Sequence, residues 1–152
     1  YSGMHALDIL RLEKKFLHWG HDITSENNPF EAGLSFAVNF NKKENFIGRK
    51  AIEEIKDKPL KNKLELFSLK NKFKPGEPLL LHDEPIFKDD KIVGYTTSSN
   101  FSFYYNKNLC LAYIKGDIND NDDMYVEVEG KRYALNLEKS PIHDPASELM
   151  RS

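Results

Sequence analysis

Residues 3–33 read GMHALDILRLEKKFLHWGHDITSENNPFEAG, and we expect the rest of the chain to be organised around the helix that this stretch contains. At about 100° per residue, Met4–His18 places polar and apolar side chains on opposite arcs of a helix. The polar arc holds Asp8, Arg11, Lys14, Lys15 and His18. The apolar arc holds Ala6, Ile9, Leu10, Leu12, Phe16 and Leu17. The pattern predicts a surface helix that ends before Gly20.

Glu13 is the exception to this pattern, because it falls inside the apolar arc, one turn after Ile9. A carboxylate directed at apolar neighbours is unfavourable unless a partner satisfies it. One explanation is a buried ion pair with an arginine or lysine from elsewhere in the fold. The other is that Glu13 points into a ligand pocket and binds a polar group there, since buried carboxylates are over-represented at functional sites.

The composition predicts one globular domain, or one domain and part of another. The 152 residues carry a net charge of −2, which gives no electrostatic reason to expect a nucleic-acid partner. No run approaches the roughly 18 apolar residues of a membrane span, and no signal-peptide pattern is present. Cys110 lies in the apolar run Leu109–Ile114, so we expect a buried, inert thiol. We expect a cytoplasmic location, or the mitochondrial matrix in a eukaryote.

The rest of the first 62 residues predicts a strand, a short helix and a boundary between two domains. Leu34–Phe40 alternates apolar with small or polar residues, which is typical of a strand with one buried face. Arg49–Lys56 has the spacing of a short helix. The polar segment Asp57–Asn62 carries Pro59 and marks a change from helical to strand-like texture. We therefore expect two domains, 1–58 and 59–152.

The second part of the chain has short strand patterns separated by turn signals. They fall at Lys63–Lys70, Leu79–His82, Glu84–Phe87, Lys91–Thr97, Leu109–Ile114, Met124–Glu129 and Lys131–Asn136. Asp89-Asp90 and Glu129-Gly130 are the expected hairpin turns. About six such strands favour a small closed barrel. We expect an α+β fold in which a helix–strand–helix piece precedes a mostly-β barrel.

Several motifs of catalysis and metal binding are absent or weak. The chain has no GxGxxG, no GxxxxGK[ST] and no GxSxG motif. Asn119–Asp123 (NDNDD) lacks the glycine and the terminal glutamate of a calcium loop, so we interpret it as a solvated acidic turn and expect no metal site. Thr96–Asn100 (TTSSN) is either a ligand-contacting turn or a plain β-turn.

Five strings together resemble a known family over nearly the whole chain. They are LRLEKKFLHWGHDI (10–23), NPFEAGLSFAV (28–38), FIGRKAI (46–52), IVGYTTSS (92–99) and YVEVEGKRYAL (125–135). In this order they resemble the C-terminal region of the dimethylglycine and sarcosine dehydrogenases. They are also similar to the glycine-cleavage T-protein, an aminomethyltransferase. The family implies a first domain that binds folate and a C-terminal barrel.

The resemblance implies a tetrahydrofolate site. In this family the glutamate of the LRLE string binds the pterin ring, and that position is Glu13 here. A basic residue after the EAGL string meets the carboxylate tail of folate, and spacing places Lys42 there. The family has an aromatic ring near the start of the first helix, where this chain has His5, which we include as a candidate contact. Trp19 is either a pocket wall or a core residue.

The same resemblance implies an enzyme that oxidises an N-methyl group of dimethylglycine, sarcosine or a similar amine with FAD. Tetrahydrofolate would then capture the one-carbon unit. The catalytic aspartate and the flavin domain of the family lie earlier than any residue here, and the chain opens on Tyr1 rather than Met. We therefore expect a piece of a longer enzyme that is inactive alone. The alternatives are a T-protein-like aminomethyltransferase, a non-catalytic folate-binding module, and a barrel that binds single-stranded nucleic acid, which the near-neutral charge disfavours.

Overall fold

The computed structural model describes residues 3–71, 73, 77, 79–119 and 121–152. Its centre is a closed antiparallel barrel with the strand order β1-β4-β3-β2-β5-β6, in which β6 pairs back with β1. The strands are β1 (Asn62–Leu69), β2 (Pro85–Lys88), β3 (Lys91–Ser102), β4 (Lys107–Lys115), β5 (Met124–Val128) and β6 (Lys131–Glu138). The helices of the described residues are α1 (Met4–Glu13), α2 (Arg49–Ile55), α3 (Glu148–Arg151) and a 3-10 turn at Ser35–Ala37. The predicted α+β fold with a six-stranded barrel is confirmed.

The sheet is buried on both faces where α1 crosses it. Phe67, Cys110 and Ala112 belong to the core inside the barrel. Leu66, Leu109 and Leu111 point outward and form a second core with Leu12 of α1. A strand that is covered on both faces has apolar residues at successive positions, which explains the uninterrupted apolar sequence at 109–114. Helix α1 is thereby held against the outside of β3 and β4.

Both predicted hairpin turns are present. Asp89 and Asp90 have φ of 49° and 58°, and Glu129 and Gly130 have φ of 47° and 74°. Two consecutive residues with positive φ are typical of the tight turn whose twist matches that of the flanking strands.

The first helix ends earlier than the sequence predicts. It stops at Glu13 rather than His18, because Lys15 adopts a φ of 54° and the Phe16 N–H bonds back to the Arg11 carbonyl at 2.8 Å. The predicted arcs are also partly wrong. Leu10 is 59% exposed, whereas Lys14 is only 9% exposed, because its ammonium binds the Asp144 carboxylate at 3.2 Å. A helical wheel contains no information about such distant partners.

Two predicted strands and one predicted turn are wrong. Residues 34–40 form local turns, with Phe36 84% exposed, and residues 79–82 lie outside the strands. Alternation produces a strand only where a neighbouring strand offers hydrogen bonds, and each described barrel strand already has two neighbours. Thr96–Asn100, predicted as a turn, lies within β3 instead.

The remaining absences concern membranes and metals. Within the described ranges, no helix combines the length and the apolar character needed to cross a membrane. The described residues also bring together no cluster of three histidine, cysteine, aspartate or glutamate side chains suited to a metal ion.

The predicted acidic turn Asn119–Asp123 includes Asp120, which lies outside the described residues. In the same segment, a hydrogen bond from Lys88 holds the pKa of Asp122 below its ordinary value.

We predict that Cys110 does not react with thiol reagents while the barrel is folded. The side chain is fully buried, and burial raises the pKa of the thiol to about 12. At pH 8 only about one thiol in 10,000 would then be ionised, and the thiolate is the reactive form. Incubation with Ellman's reagent at pH 8 should give no reaction without denaturant and one equivalent in 6 M guanidinium. Rapid labelling of the native chain would contradict the burial.

Candidate functional site

The carboxylate of Glu13 is buried on the outer side of the barrel. Glu13 is the last residue of α1, and 6% of its surface is exposed. The Ser102 hydroxyl at the end of β3 donates a hydrogen bond of 2.6 Å to Glu13 Oε1. The Glu13 carbonyl accepts a hydrogen bond of 3.0 Å from the backbone N–H of His143. Helix, strand and C-terminal segment therefore all fix the position of this residue.

No described arginine or lysine pairs with Glu13, since none places a nitrogen within 4.0 Å of its carboxylate. The two nearest cations along α1 are held elsewhere. Arg11 pairs with Asp22 at 2.6 Å, and Lys14 pairs with Asp144 at 3.2 Å. The buried ion pair that was one explanation for Glu13 is therefore not formed with any described residue. A carboxylate buried with a neutral donor keeps unused capacity to accept hydrogen bonds.

Asp22 joins α1 to the barrel. Its side chain is fully buried and accepts three hydrogen bonds, from Arg11 Nη1 at 2.6 Å, from the His18 N–H at 2.8 Å and from the Thr97 hydroxyl at 2.6 Å. Arg11 also donates to the Ser98 hydroxyl at 2.7 Å. This network fixes the helix that carries Glu13 against β3.

The sequence interpretation missed this network. The helical wheel places Arg11 on the polar arc, and no pattern in the sequence singles out Asp22. The only available signal is that Arg11 and Asp22 lie in the string 10–23 and that Thr97-Ser98 lies in the string 92–99, two of the five strings that carry the resemblance. No local pattern pairs residues that lie 75 and 87 positions apart.

A polar and aromatic cluster adjoins the segment that binds the Glu13 backbone. The Tyr105 hydroxyl and His143 Nδ1 are 2.8 Å apart. Burial raises the pKa of the Tyr105 hydroxyl, and the neighbouring Tyr104 and the Glu13 charge raise it further. Tyr104 remains 81% exposed and stacks edge-on against the Tyr105 ring at 4.9 Å. The charge of Glu13 is thus close enough to Tyr105 to affect the pKa of its hydroxyl.

The other predicted site residues are not gathered around Glu13. His5 lines a cavity of about 330 Å³ between α1, β3 and the segment 79–82, and Glu13 does not line that cavity. Trp19 is 67% exposed, so the core-packing interpretation of this residue is wrong. Lys42 is exposed in the segment after the 3-10 turn, and its carbonyl accepts a hydrogen bond from Arg49 at 3.0 Å. No described hydrogen bond, ion pair or ring contact joins Lys42 or Trp19 to Glu13.

The barrel and its adjoining segment match known family models. Residues 65–144, just over half of the chain, match the glycine cleavage T-protein C-terminal barrel domain. The chain belongs to the glycine cleavage T-protein family. Residues 1–42 match the GCVT N-terminal domain. The resemblance inferred from the five strings is therefore confirmed.

Three known enzymes with different activities are similar to the chain. Human mitochondrial dimethylglycine dehydrogenase is 36% identical over 92% of this chain and 16% of its own length. The formaldehyde-forming 4-methylaminobutanoate oxidase of Paenarthrobacter nicotinovorans is 29% identical over 99% of this chain and 18% of its own length. An aminomethyltransferase of Thermotoga neapolitana is 32% identical over 93% of this chain and 37% of its own length.

A solved structure from the T-protein family shares the fold. The glycine cleavage system aminomethyltransferase T from Bartonella henselae superposes with a TM-score of 0.79 at 25% identity. The superposition covers 92% of this chain and 38% of that structure. The chain thus spans less than two fifths of the length of each relative named here.

Proposed function

We propose that this chain is the tetrahydrofolate-binding portion of a flavin-dependent N-methyl amine dehydrogenase. The enzyme would act on an amine such as dimethylglycine or sarcosine and pass the one-carbon unit to tetrahydrofolate. The similarity to dimethylglycine dehydrogenase over 92% of the chain supports this class of enzyme. We place the end of the folate-binding domain at residue 58 and assign residues 59–152 to the barrel domain, in keeping with the family matches at 1–42 and 65–144.

The observation that carries the proposal is the burial of Glu13 without a cation from the described residues. A reduced pterin presents an amino group and a ring N–H side by side, and one carboxylate can accept both. Hydrogen bonds to a charged group contribute about 1.5–3 kcal/mol each, and burial strengthens them. The Ser102 hydroxyl would hold the carboxylate in place while the pterin supplies the remaining donors.

Three further residues have proposed supporting roles. Lys42 would attract the carboxylate tail of folate, since its side chain is exposed and no described ion pair engages it. His5 and Trp19 offer exposed rings on the same N-terminal segment and would shield the bound folate. These roles require the bound folate to reach from Glu13 to the segments that carry His5, Trp19 and Lys42.

Tetrahydrofolate would accept the one-carbon unit, and this chain would bind and orient it. We place the flavin and the catalytic aspartate of the proposed enzyme outside this chain, because the family has them earlier in the sequence and no GxGxxG motif occurs here. This chain would thus supply the binding carboxylate and close the folate site.

We propose that the protein is cytoplasmic, or lies in the mitochondrial matrix in a eukaryote. The similarity to a mitochondrial enzyme supports the second compartment.

We predict that folinic acid raises the melting temperature of the full-length protein and that Glu13→Gln removes most of this protection. Glutamine keeps the acceptor for Ser102 but cannot accept both pterin donors as a charged pair. The matched control is Glu138→Gln, because Glu138 also accepts a serine hydroxyl at 2.6 Å, from Ser68. Thermal unfolding should show full protection in the control. Equal protection in both variants would contradict the role of Glu13.

A second candidate is a T-protein-like aminomethyltransferase without amine oxidation. The similarity to the Thermotoga and Bartonella aminomethyltransferases supports it. The two candidates differ in redox chemistry. Reduction of an artificial electron acceptor by the full-length protein with dimethylglycine or sarcosine would support the dehydrogenase. Tetrahydrofolate-dependent release of ammonia from an aminomethyl donor, without acceptor reduction, would support the aminomethyltransferase.

A further inference from the structure

The segment after β6 contacts the end of α1 at successive residues. Ile142 packs against the outer core that contains Leu12. The backbone N–H of His143 donates a hydrogen bond of 3.0 Å to the Glu13 carbonyl. The last carbonyl groups of a helix lack partners within the helix, and this hydrogen bond satisfies one of them. The segment therefore holds the backbone of the residue that carries the candidate carboxylate.

The next contact is an ion pair between Lys14 and Asp144. The Lys14 ammonium binds the Asp144 carboxylate at 3.2 Å and the Asp144 carbonyl oxygen at 2.6 Å. It donates a further hydrogen bond of 3.2 Å to the Ser147 hydroxyl. The side chains of Lys14 and Asp144 are only 9% and 6% exposed, so solvent and salt screen this pair much less than a surface ion pair.

The ion pair also leaves the Glu13 carboxylate free of its neighbouring cation. Lys14 directly follows Glu13 in the chain. An ammonium has three donors, and the three oxygens of Asp144 and Ser147 use all of them. The Glu13 carboxylate is thereby left to accept hydrogen bonds from a ligand.

We propose that Asp144 is a positioning residue for the pterin site: it fixes the end of α1 through Lys14 and keeps the Lys14 ammonium away from the Glu13 carboxylate. This inference rests on the function proposed above, because it requires Glu13 to bind the pterin. A carboxylate that accepts two adjacent donors must be held to within about 0.5 Å, and Glu13 lies at a helix end. Asp144, 130 positions after Lys14, thus couples the barrel domain to the folate site.

Asp144→Asn tests this role in the full-length protein. Asparagine keeps the shape and tolerates the φ of 41° at this position, but it loses the charge that binds Lys14. The affinity for folinic acid, measured by titration calorimetry, should fall about fivefold. The matched control is Asp122→Asn, because Asp122 also pairs with a lysine, Lys88 at 2.7 Å, and accepts a backbone N–H. Lys88 lies on β2, whereas α1 packs against β3 and β4, so the control should bind like the wild type.

Combining Asp144→Asn with Glu13→Gln separates positioning from a general loss of stability. If Asp144 acts through Glu13, Asp144→Asn should change the affinity less than about twofold when Glu13 is already glutamine. A fall of the same size in both backgrounds would show that Asp144 acts by another route and would overturn the proposal.

A second variant guards against unfolding. Asp144→Asn alone leaves the Lys14 ammonium in a largely buried position without its carboxylate partner. Lys14→Met together with Asp144→Asn removes both charges, which is often nearly neutral for stability. This double variant should melt close to the wild type and bind folinic acid about threefold more weakly. Wild-type affinity in the double variant would overturn the proposal.

Hydrogen exchange gives a readout that needs no ligand. The N–H groups of Lys14, Lys15 and Phe16 bond back to carbonyls of α1, so they report opening of the helix end. Their exchange should be about fivefold faster in Asp144→Asn than in Asp122→Asn. Equal exchange in the two variants would show that the ion pair does not fix the helix end.

The failure of this inference is distinguishable from failure of the pterin proposal. Glu13→Gln without any effect on the affinity for folinic acid would contradict the pterin site, and the positioning role would fall with it. Weakened binding by Glu13→Gln together with unchanged binding by Asp144→Asn would leave the pterin site intact and overturn only the role of Asp144.

Discussion

Asp22→Ala is expected to lower the free energy of unfolding by about 3–5 kcal/mol, because it leaves a charged arginine in a largely buried position without its main partner. The Asp22 side chain is fully buried, and Arg11 is 12% exposed at its side chain. The substitution also removes the acceptor for the Thr97 hydroxyl and the His18 N–H. Helix α1, the following turn and β3 would lose their common anchor together.

The control for this prediction is Asp8→Ala, which removes the other carboxylate from the same arginine. Asp8 binds Arg11 at 3.1 Å but is 29% exposed, and Asp22 still pairs with Arg11 after the substitution. We expect a loss of about 1 kcal/mol or less. Urea denaturation followed by far-ultraviolet circular dichroism measures both variants. Equal losses for the two substitutions would show that Asp22 is not the anchor.

Gly94→Ala is expected to destabilise the barrel by about 3 kcal/mol or more, the upper end of what overpacking produces. A Cβ at Gly94 would lie 2.0 Å from the Tyr113 carbonyl oxygen and 2.8 Å from Ile114 Cδ1. The first of these atoms belongs to the backbone of the paired strand β4, so no change of rotamer relieves the contact. Strands β3 and β4 would have to separate where they form the wall under α1.

Gly3→Ala provides the matched control, because a Cβ at that position meets nothing within 4 Å. The same methyl group should therefore have little effect there. Thermal unfolding of both variants gives the comparison. A melting temperature for Gly94→Ala close to that of Gly3→Ala would contradict the prediction, because it would mean that β3 and β4 can move apart at little cost in free energy.

The barrel was predictable from sequence because its signals are local. Turn pairs such as Asp89-Asp90 and Glu129-Gly130 separate the strands, and the alternation of Met124–Val128 with one face inside survives in the structure. The strand predicted at 34–40 shows the limit of such patterns. Apolar residues do alternate with small or polar ones in this segment. A strand also requires a neighbouring strand with free hydrogen-bonding groups, and the spacing of residues in the sequence does not reveal whether one is present.

The candidate site was predictable only in part, for the same reason. The wheel identified Glu13 as a carboxylate among apolar residues, and its burial bears out that placement. The wheel could not identify Asp22 as the partner of Arg11, or Asp144 as the partner of Lys14, because both partners approach from outside the helix.

The affinity for folinic acid, measured by titration calorimetry on the full-length protein, tests most directly whether Glu13 binds the pterin. Wild type, Glu13→Gln and Glu138→Gln should be titrated under the same conditions. We predict that Glu13→Gln weakens binding about tenfold or more, as expected for the loss of a charge-assisted pair, while Glu138→Gln binds like the wild type. A Glu13→Gln protein that binds folinic acid as tightly as the control would contradict the assignment of this carboxylate to the folate site.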